Sequence, residues 1–205
     1  DPFEGFFADG VVFIERLAAS ASGSEYKWDF YNSDGSSAEM CGNAIRCAHY
    51  YIQKKYAPTS DTITIQTISG LVKSTFKNSM FYVQMPKPTE NAELFLTSEF
   101  FNQASLFREF ESVSQGGAYF VDTGVPHLVI SIQDWEKAML LNDVWLFLRH
   151  HSYFKNGANI TLVQSQKNGS VVAVSFERGV DDFTQSCGTG AVAAAIYISQ
   201  LEKIE

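Results

Sequence analysis

Hydrophobic and polar residues alternate along several short stretches of the chain, a pattern that predicts β-strands. In the first half these stretches lie at residues 11–15, 26–31, 62–68, 71–76 and 80–85. In the second half they lie at residues 118–122, 128–132, 159–164 and 171–176. The last two flank Lys167-Asn168-Gly169, and an Asn-Gly pair between two strands is typical of a β-hairpin.

Two longer helices are predicted, and each begins at a cysteine. In the first, from Cys41 to Tyr56, apolar side chains recur at helical spacing and Pro58 ends the helix. Those side chains are Ala44, Ile45, Ala48, Tyr51 and Ile52. The second helix runs from Cys187 to about Leu201 and consists mainly of small residues. Its composition favours a helix that strands cover closely.

The order of these elements indicates a degenerate two-fold repeat. In each half a strand is followed by a polar loop, a Cys-Gly pair and a helix. Asn32 precedes Cys41 by nine residues, and Glu177 precedes Cys187 by ten. We therefore predict an α+β fold in which two halves face each other across a cleft.

The sequence suggests three divisions of the chain. These are a first half with the first cysteine, a linking region and a second half with the second cysteine, at residues 1–88, 89–117 and 118–205. Residues 98–110 of the linking region are expected to be partly helical. Residues 143–150 of the second half suit a short helix with Asp143 as its N-cap.

Charge and composition narrow the classes of partner. The 205 residues carry a net charge of −8 and contain no long basic run, which argues against nucleic acid or an anionic membrane surface. No apolar run approaches the roughly 20 residues of a membrane span. The three cysteines are an odd number in a chain that can fold without disulfides, so a reducing cytoplasm is the expected compartment.

Cys41 and Cys187 are the candidates for chemistry. At a helix N-terminus, unpaired N–H groups and the helix dipole favour the thiolate, so the pKa of both thiols is expected to fall. The next residues, Gly42 and Gly188, let backbone N–H groups approach a ligand carboxylate. Two thiols on opposite sides of an α-carbon could then move its proton from one face to the other. A single cysteine is more often a small buried residue, but a matched pair favours chemistry.

Three polar residues have two interpretations each. Glu177 and Arg178 end a strand at the position equivalent to Asn32. They could hold an ammonium and a carboxylate or form an ordinary ion pair, and the repeat favours ligand contact. His127 could line the cleft or support the structure.

The remaining cysteine and histidines are assigned to structure. Cys47 lies six residues into the first helix and is expected to pack in the core. The other histidines, which are His49, His150 and His151, are expected at the surface or in structural roles. Cys41-x5-Cys47 with scattered histidines is not a zinc pattern, so no metal site is predicted.

Four motifs resemble those of the diaminopimelate epimerases, which are cofactor-independent amino-acid epimerases. They are Asn32-x-Asp-Gly-Ser with Cys41-Gly42-Asn43-x-x-Arg46-Cys47, then Thr123-Gly-x-Pro-His127, Gly157-Ala-Asn159, and Glu177-Arg178-Gly179 with Cys187-Gly188-Thr189-Gly190. They occur in family order over nearly the whole chain. Proline racemases, which carry His at the position of Asn43, and isomerases without the thiol pair resemble the chain less.

The resemblance implies two pseudo-symmetric halves, each a mostly antiparallel sheet wrapped around a central helix, with the active site between them. Cys41 and Cys187 would be base and acid, exchanging roles with the direction of reaction. The reacting carboxylate would be held by the backbone of Gly42, Asn43, Gly188 and Thr189. The other implied contacts are Glu177 to the ammonium, and Asn32, Asn159 and Arg178 to the distant L-centre.

The implied reaction converts LL-diaminopimelate to meso-diaminopimelate in lysine and peptidoglycan precursor synthesis, with no cofactor and a small amino acid as substrate. Recognition at the distant centre would make the enzyme selective. Neither nucleic acid nor membrane is expected as a partner, and a homodimer is compatible with the resemblance. The alternatives are a related two-thiol racemase of the proline racemase type and a truncated or degenerate binding protein without activity. An oxidised Cys41–Cys187 pair would be an inactive form.

Two positions and the two ends of the sequence depart from the family pattern. Val125 stands where many members have an Asn that contacts the distal end of the substrate. Asp9 falls where some members have a ligand-binding Gln and others carry Asp, and it is retained as a substrate-binding candidate. The family's opening strand, with a Gly-Asn-Asp-Phe-like segment, and its last strands have no counterpart in the 205 residues.

Overall fold

The computed structural model describes residues 8, 10–17, 26–33, 35–58 and 60–201. The chain separates into two compact units, Asp1–Pro86 and Lys87–Glu205. No helix within the described ranges combines the length and the apolar character that a bilayer crossing requires.

The first unit is built on a five-stranded sheet. Its elements are β1 (Gly10–Arg16), β2 (Tyr26–Asn32), α1 (Gly42–Tyr56), β3 (Thr62–Thr67), β4 (Gly70–Lys77) and β5 (Met80–Val83). The strand order is β1-β2-β3-β4-β5, and the neighbours are antiparallel except for the parallel pair β2/β3. A parallel pair needs a crossover connection, and α1 supplies it.

The core of the first unit follows the alternation predicted for its strands. Tyr26, Trp28 and Phe30 of β2 are buried while the residues between them are not, so one face of the strand lies in the core. This face packs in one cluster with Ile45 and Ile52 of α1. The predicted bounds of α1 are confirmed, since Cys41 is its N-cap and the helix ends at Tyr56.

Two predictions about α1 are wrong. Cys47 is exposed rather than packed in the core, and Tyr51 is also exposed. The buried stripe of the helix is Gly42, Ile45, Ala48, His49 and Ile52. Cys47 lies two residues after Ile45, which is a rotation of roughly 200° away from this stripe.

The second unit is built on a six-stranded sheet with helices on both faces. Its elements are β6 (Thr89–Leu94), α2 (Ser98–Phe101), α3 (Ala104–Glu111), β7 (Ser114–Asp122), β8 (Pro126–Ile132), α4 (Trp135–Ala138), α5 (Asn142–Arg149), β9 (Asn159–Ser165), β10 (Val171–Phe176), β11 (Phe183–Thr184) and α6 (Gly188–Leu201). The order is β11-β10-β9-β8-β7-β6, with β8/β9 as the parallel pair. The other neighbours are antiparallel.

Both faces of this second sheet are covered. Leu128 and Ile130 of β8 belong to a cluster that includes side chains of α2, α3 and α5. Val129, between them, belongs to a separate cluster with Ala193 and Ala194 of α6. Strands buried on both faces lose polar alternation, which explains the near-continuous apolar run in β8.

The predicted α+β fold of two repeated halves is confirmed, because each unit has a strand, a loop, a cysteine and then a helix. Residues 98–110 are partly helical as predicted, in α2 and α3, and the second unit includes them. The N-cap assigned to Asp143 is wrong. The helix α5 begins at Asn142, which places Asp143 in the first turn, where a carboxylate also complements the helix dipole.

Candidate active site

The first predicted cysteine is presented by a loop that folds back on β2. The backbone N–H of Gly35 donates to the carbonyl of Asn32 over 3.0 Å, and the N–H of Asn32 donates to the carbonyl of Ser36 over 2.8 Å. The Asn32 side chain also donates to the Ser36 hydroxyl over 3.0 Å. Further along the loop, the N–H of Ala38 donates to the carbonyl of Phe30 over 2.9 Å. These bonds fix the loop that leads into α1.

Cys41 is half-buried and has the extended backbone of an N-cap residue, with φ −146° and ψ 112°. Its sulfur accepts a hydrogen bond from the backbone N–H of Ala44 over 3.5 Å. Gly42 and Asn43 are the first two residues of α1, where N–H groups have no partner four residues earlier. The Asn43 side chain accepts a hydrogen bond from Arg46 over 3.3 Å. The structure therefore places these predicted site residues together at one helix terminus.

The second predicted cysteine occupies the same local position before α6. The N–H of Gly190 donates to the sulfur of Cys187 over 3.4 Å, and the N–H of Ala191 donates to its carbonyl over 3.0 Å. The Thr189 hydroxyl lies 3.4 Å from the same sulfur. In both units a cysteine sulfur thus accepts from the N–H three residues further on, as the predicted repeat requires.

The predicted fall in pKa is wrong for Cys187. Burial and the nearby charge of Glu177 raise the pKa of this thiol to about 11. Hydrogen bonds from Thr189, Gly190 and Ser175 lower the pKa, but they do not offset the loss of hydration. Cys187 is therefore a neutral thiol at pH 7, the form that can donate a proton.

Glu177 and Arg178 lie in the turn between β10 and β11. The Glu177 carboxylate accepts a hydrogen bond from the Thr184 hydroxyl. The Arg178 guanidinium donates to the carbonyl of Asn156 over 3.1 Å, and the Arg178 backbone N–H donates to Oδ1 of Asn159 over 2.7 Å. The second unit thus brings the Glu-Arg pair and Asn159 to the same end of its sheet.

His127 is completely buried at the start of β8. Its Nδ1 lies 2.8 Å from Oγ1 of Thr161, and its Nε2 lies 2.9 Å from Oγ1 of Thr189. Burial, with a smaller effect of the Arg178 charge, lowers the pKa of His127 to about 3. The imidazole is therefore neutral, and it connects to the helix that follows Cys187. Of the two interpretations of His127, lining the cleft or supporting the structure, these buried contacts favour the second.

Among the other positions discussed from the sequence, the structure describes Val125 and His49. Val125 is buried, in a turn where the Thr123 N–H donates to the Val125 carbonyl over 3.1 Å. The Thr123 hydroxyl donates to the Thr189 carbonyl over 3.0 Å, which ties this turn to α6. Asp9 lies outside the described residues. His49 has a structural role, since it is buried and its Nδ1 lies 2.8 Å from the Ser74 hydroxyl.

Sequence reasoning missed two buried hydroxyls beside Cys187. Thr161 of β9 and Ser175 of β10 are cross-strand partners, and their hydroxyls lie 3.0 Å apart. Both are almost fully buried. A polar residue within the apolar run 171–176, two positions before Glu177, was the available signal.

A second missed feature anchors the loop that precedes Cys187. The Arg149 side chain, which is almost fully buried, pairs with Asp181. His150 lies 3.2 Å from the other carboxylate oxygen of Asp181. Asp181 has a positive φ of 55°, and the carbonyl of Glu177 accepts its N–H over 2.8 Å. The ion pair and the turn fix the end of the loop that carries Glu177.

A family model and the relatives of this chain agree with the family resemblance of its motifs. A family model described as diaminopimelate epimerase matches residues 3–89 and 119–205. A diaminopimelate epimerase of Hydrogenobaculum sp. (strain Y04AAS1) is 36% identical over 191 residues, which are 92% of this chain and 64% of the relative. The chain thus spans about two thirds of the length of that relative.

Solved structures of lower identity share the fold. A phenazine biosynthesis protein of the PhzF family from Bacillus anthracis is 12% identical, with a TM-score of 0.62 over 89% of this chain and 63% of that chain. A hydroxyproline epimerase from Agrobacterium vitis is 13% identical, with a TM-score of 0.62 over 93% of this chain and 60% of that chain. The family model, which covers most of the sequence, shows that the chain belongs to the diaminopimelate epimerase family.

Proposed function

We propose that the protein epimerises diaminopimelate without a cofactor, with Cys41 and Cys187 as its acid–base pair. The observation that carries the proposal is the matched setting of the two thiols. Each sulfur stands at the start of a helix and accepts the N–H three residues further on. Each belongs to a motif of the family, and the relatives that the chain matches are named diaminopimelate epimerase.

In the proposed reaction one cysteine, as thiolate, removes the proton from the reacting α-carbon and becomes a thiol. The electron pair left behind is delocalised into the neighbouring carboxylate. The other cysteine, as thiol, gives a proton to the opposite face and becomes a thiolate, so the two sulfurs have exchanged charge and the carbon has inverted. The raised pKa of Cys187 supports the assignment of Cys187 as the resting acid.

Binding of the reacting end is assigned to backbone groups. Gly42 and Asn43 begin α1, and Gly188 and Thr189 begin α6. N–H groups in the first turn of a helix favour anions through hydrogen bonds and through the helix dipole. The substrate carboxylate, which gains negative charge as the proton leaves, is the anion that we assign to them.

The rest of the substrate is assigned to polar side chains. Glu177 would hold the ammonium of the reacting centre, while Asn32, Asn159 and Arg178 would bind the distant L-centre, with Asp9 completing the set. A site that hydrogen-bonds these groups rejects an analogue without them, because its own polar groups would stay unpaired. The odd number of cysteines, three, supports a reducing, cytoplasmic location.

Deuterium exchange tests the proposal. LL-Diaminopimelate incubated with the purified protein in D2O should gain deuterium at one α-carbon, followed by mass spectrometry and NMR. Cys41→Ala and Cys187→Ala should each lose at least about a thousandfold in rate, whereas Cys47→Ser, at an exposed position, should retain it. Proline and hydroxyproline should not exchange. Normal turnover by Cys41→Ala would overturn the two-thiol mechanism, and exchange of proline would favour the racemase alternative.

A further inference from the structure

A group of buried polar side chains lies behind Cys187 in the second unit. His127 connects Thr161 and Thr189, at 2.8 Å from its Nδ1 and 2.9 Å from its Nε2. The Thr161 hydroxyl lies 3.0 Å from the Ser175 hydroxyl, and the Thr189 hydroxyl lies 3.4 Å from the Cys187 sulfur. The four residues of this group other than Cys187 are each at most 5% exposed.

Ser175 closes the group from the other side of the sulfur. Its hydroxyl is one of the hydrogen bonds that lower the pKa of the Cys187 thiol. A Cβ atom on Gly190 would lie 2.1 Å from Oγ of Ser175 and 3.3 Å from Cβ of Cys187. Ser175 and Cys187 also line one small cavity. Hydrogen bonds therefore join Cys187, Thr189, His127, Thr161 and Ser175 in this order, and Ser175 lies beside Cys187 in the wall of the same cavity. We call these five side chains the ring.

Asn159 fixes the direction of the hydrogen bonds in the ring. Its Oδ1 accepts the backbone N–H of Arg178 over 2.7 Å, so the amide orientation is set by a group that can only donate. The amide nitrogen of Asn159 then lies 3.4 Å from Nε2 of His127. Because an amide nitrogen donates, Nε2 must accept, and the single proton of the neutral imidazole is on Nδ1.

The other protons follow from this assignment. His127 donates from Nδ1 to Thr161, and Thr161 donates to Ser175. The proton of the Ser175 hydroxyl is thereby left to point towards Cys187, its neighbour in the cavity wall. On the other side, the Cys187 thiol donates to Thr189, and Thr189 donates to Nε2 of His127. Every donor in the ring has an acceptor when Cys187 is protonated, which is the condition for low cost in a buried polar network.

We propose that Thr161 and Ser175 are positioning residues for Cys187: with His127 and Thr189 they hold the thiol in place at rest and keep a hydroxyl donor on the sulfur when its proton leaves. The proposal rests on the proposed function in that it gives the ring a role in proton transfer. When the thiol proton leaves, the Thr189 hydroxyl can turn from Nε2 of His127 to the sulfur, as its lowering effect on the pKa of Cys187 requires. The Ser175 hydroxyl stays in place beside the sulfur. A hydrogen bond to a charged group is stronger than one to a neutral group, so Ser175 stabilises the thiolate more than the thiol.

A measurement on the unaltered chain tests the direction of the ring. Nitrogen-15 NMR of protein labelled in histidine distinguishes the protonated from the unprotonated ring nitrogen, and His127→Gln identifies its signals. We expect His127 to be neutral at pH 7 with its proton on Nδ1. A proton on Nε2 would overturn the assignment.

Thiol reactivity tests the role of the two hydroxyls. Cys41→Ala with Cys47→Ser leaves Cys187 as the single thiol of the three-cysteine chain, and its alkylation by iodoacetamide is followed between pH 8 and 10. Ser175→Ala should slow the reaction about tenfold at each pH, because one unit in pKa is tenfold in thiolate. Thr161→Val should slow it about threefold, and Thr161→Ser, which keeps the hydroxyl, should restore the rate.

Thr62→Val is the matched control, because it removes one hydroxyl of a cross-strand pair, 2.9 Å from Thr75, in the first unit. Its rate should equal that of the parent. Rates for Ser175→Ala within about twofold of the parent would overturn the proposal. If a variant does not fold, the position of the imidazole proton decides alone. None of these readouts requires epimerisation, so failure of the ring and failure of the proposed activity are separate results.

Discussion

The sulfur of Cys41 lies 3.5 Å from the backbone nitrogen of Ala44, so the first proposed catalytic atom is also the N-cap of α1. The Cys187 sulfur has the same relation to Gly190, over 3.4 Å. A sulfur that accepts a backbone N–H is held in one orientation and receives the positive end of the helix dipole. Position and chemistry of each thiol therefore depend on the same hydrogen bond.

Cys41→Ser and Cys41→Ala should separate the helix cap from the chemistry. Serine is a strong N-cap and alanine is not, so the serine variant should be more stable than the alanine variant by about 1 kcal/mol in urea denaturation. Neither variant should exchange deuterium into diaminopimelate. Equal free energies of unfolding would show that the contact with Ala44 does not stabilise α1.

The buried imidazole of His127 should make the protein sensitive to acid. Its pKa is about 3 in the folded chain, against about 6.5 when unfolded. The unfolded chain therefore binds one more proton between these values, and the free energy of unfolding should fall as pH falls from 6.5 towards 3. The slope from this group approaches about 1.4 kcal/mol per pH unit, and the contribution is fully present above pH 6.5.

Urea denaturation at several pH values between 7 and 4 measures this dependence. His127→Gln should lower the free energy of unfolding at pH 7 but give a smaller slope with pH. His49 acts in the same direction, since burial lowers its pKa, with the Asp61 charge opposing. His49→Asn should therefore also reduce the slope with pH, and it measures the contribution that the first unit makes to that slope. An unchanged slope in His127→Gln would mean that His127 is not a buried neutral group.

Alternation in the sequence predicted strands well where one face of a strand is buried. In β2, Tyr26 and Trp28 point into the core and the residue between them does not, so the pattern carries the structural information. The cysteine helices were also predictable, because the N-cap, the helical spacing and Pro58 are local signals. Cys47 was misplaced because Ala44 and Ala48 are small and do not define which side of α1 is buried, and because Tyr51, one turn later, is exposed although it was counted with the apolar side chains.

The hydroxyls behind Cys187 could not be derived from local pattern. Thr161 and Ser175 are fourteen residues apart and meet only through the pairing of β9 with β10. The pKa of Cys187 depends in the same way on distant contributions. A helix terminus alone favours a thiolate, but burial and the charge of Glu177 outweigh it, and neither is visible in the residues around the cysteine.

Removal of the Glu177 charge should make Cys187 more reactive. That charge raises the pKa of the thiol, so Glu177→Gln should lower the pKa and increase the fraction of thiolate at a given pH. With Cys187 as the single thiol, alkylation between pH 8 and 10 should be about three to ten times faster. Glu111→Gln, at an exposed position in α3, should leave the rate unchanged. A slower reaction in Glu177→Gln would show that Glu177 holds the site in shape rather than acting by charge.

The close approach of α6 to β10 requires glycine at position 190. A Cβ atom there would lie 2.1 Å from Oγ of Ser175 and 3.2 Å from Oγ1 of Thr161. Gly190→Ala should therefore force the helix away from the strand and cost about 1–3 kcal/mol of unfolding free energy. Gly117→Ala is the control, because its Cβ would meet a carbonyl oxygen of Leu94 at an ordinary 3.5 Å.

Combination with Ser175→Ala identifies the atom responsible for this cost. The closest contact of the added methyl group is the Ser175 hydroxyl oxygen, which alanine lacks. The double variant Gly190→Ala/Ser175→Ala should be more stable than the sum of the single effects predicts, by about 1 kcal/mol. Additive effects in urea denaturation would place the strain elsewhere along α6. In the single-thiol background, Gly190→Ala should also slow alkylation of Cys187, because the displaced Ser175 hydroxyl no longer reaches the sulfur.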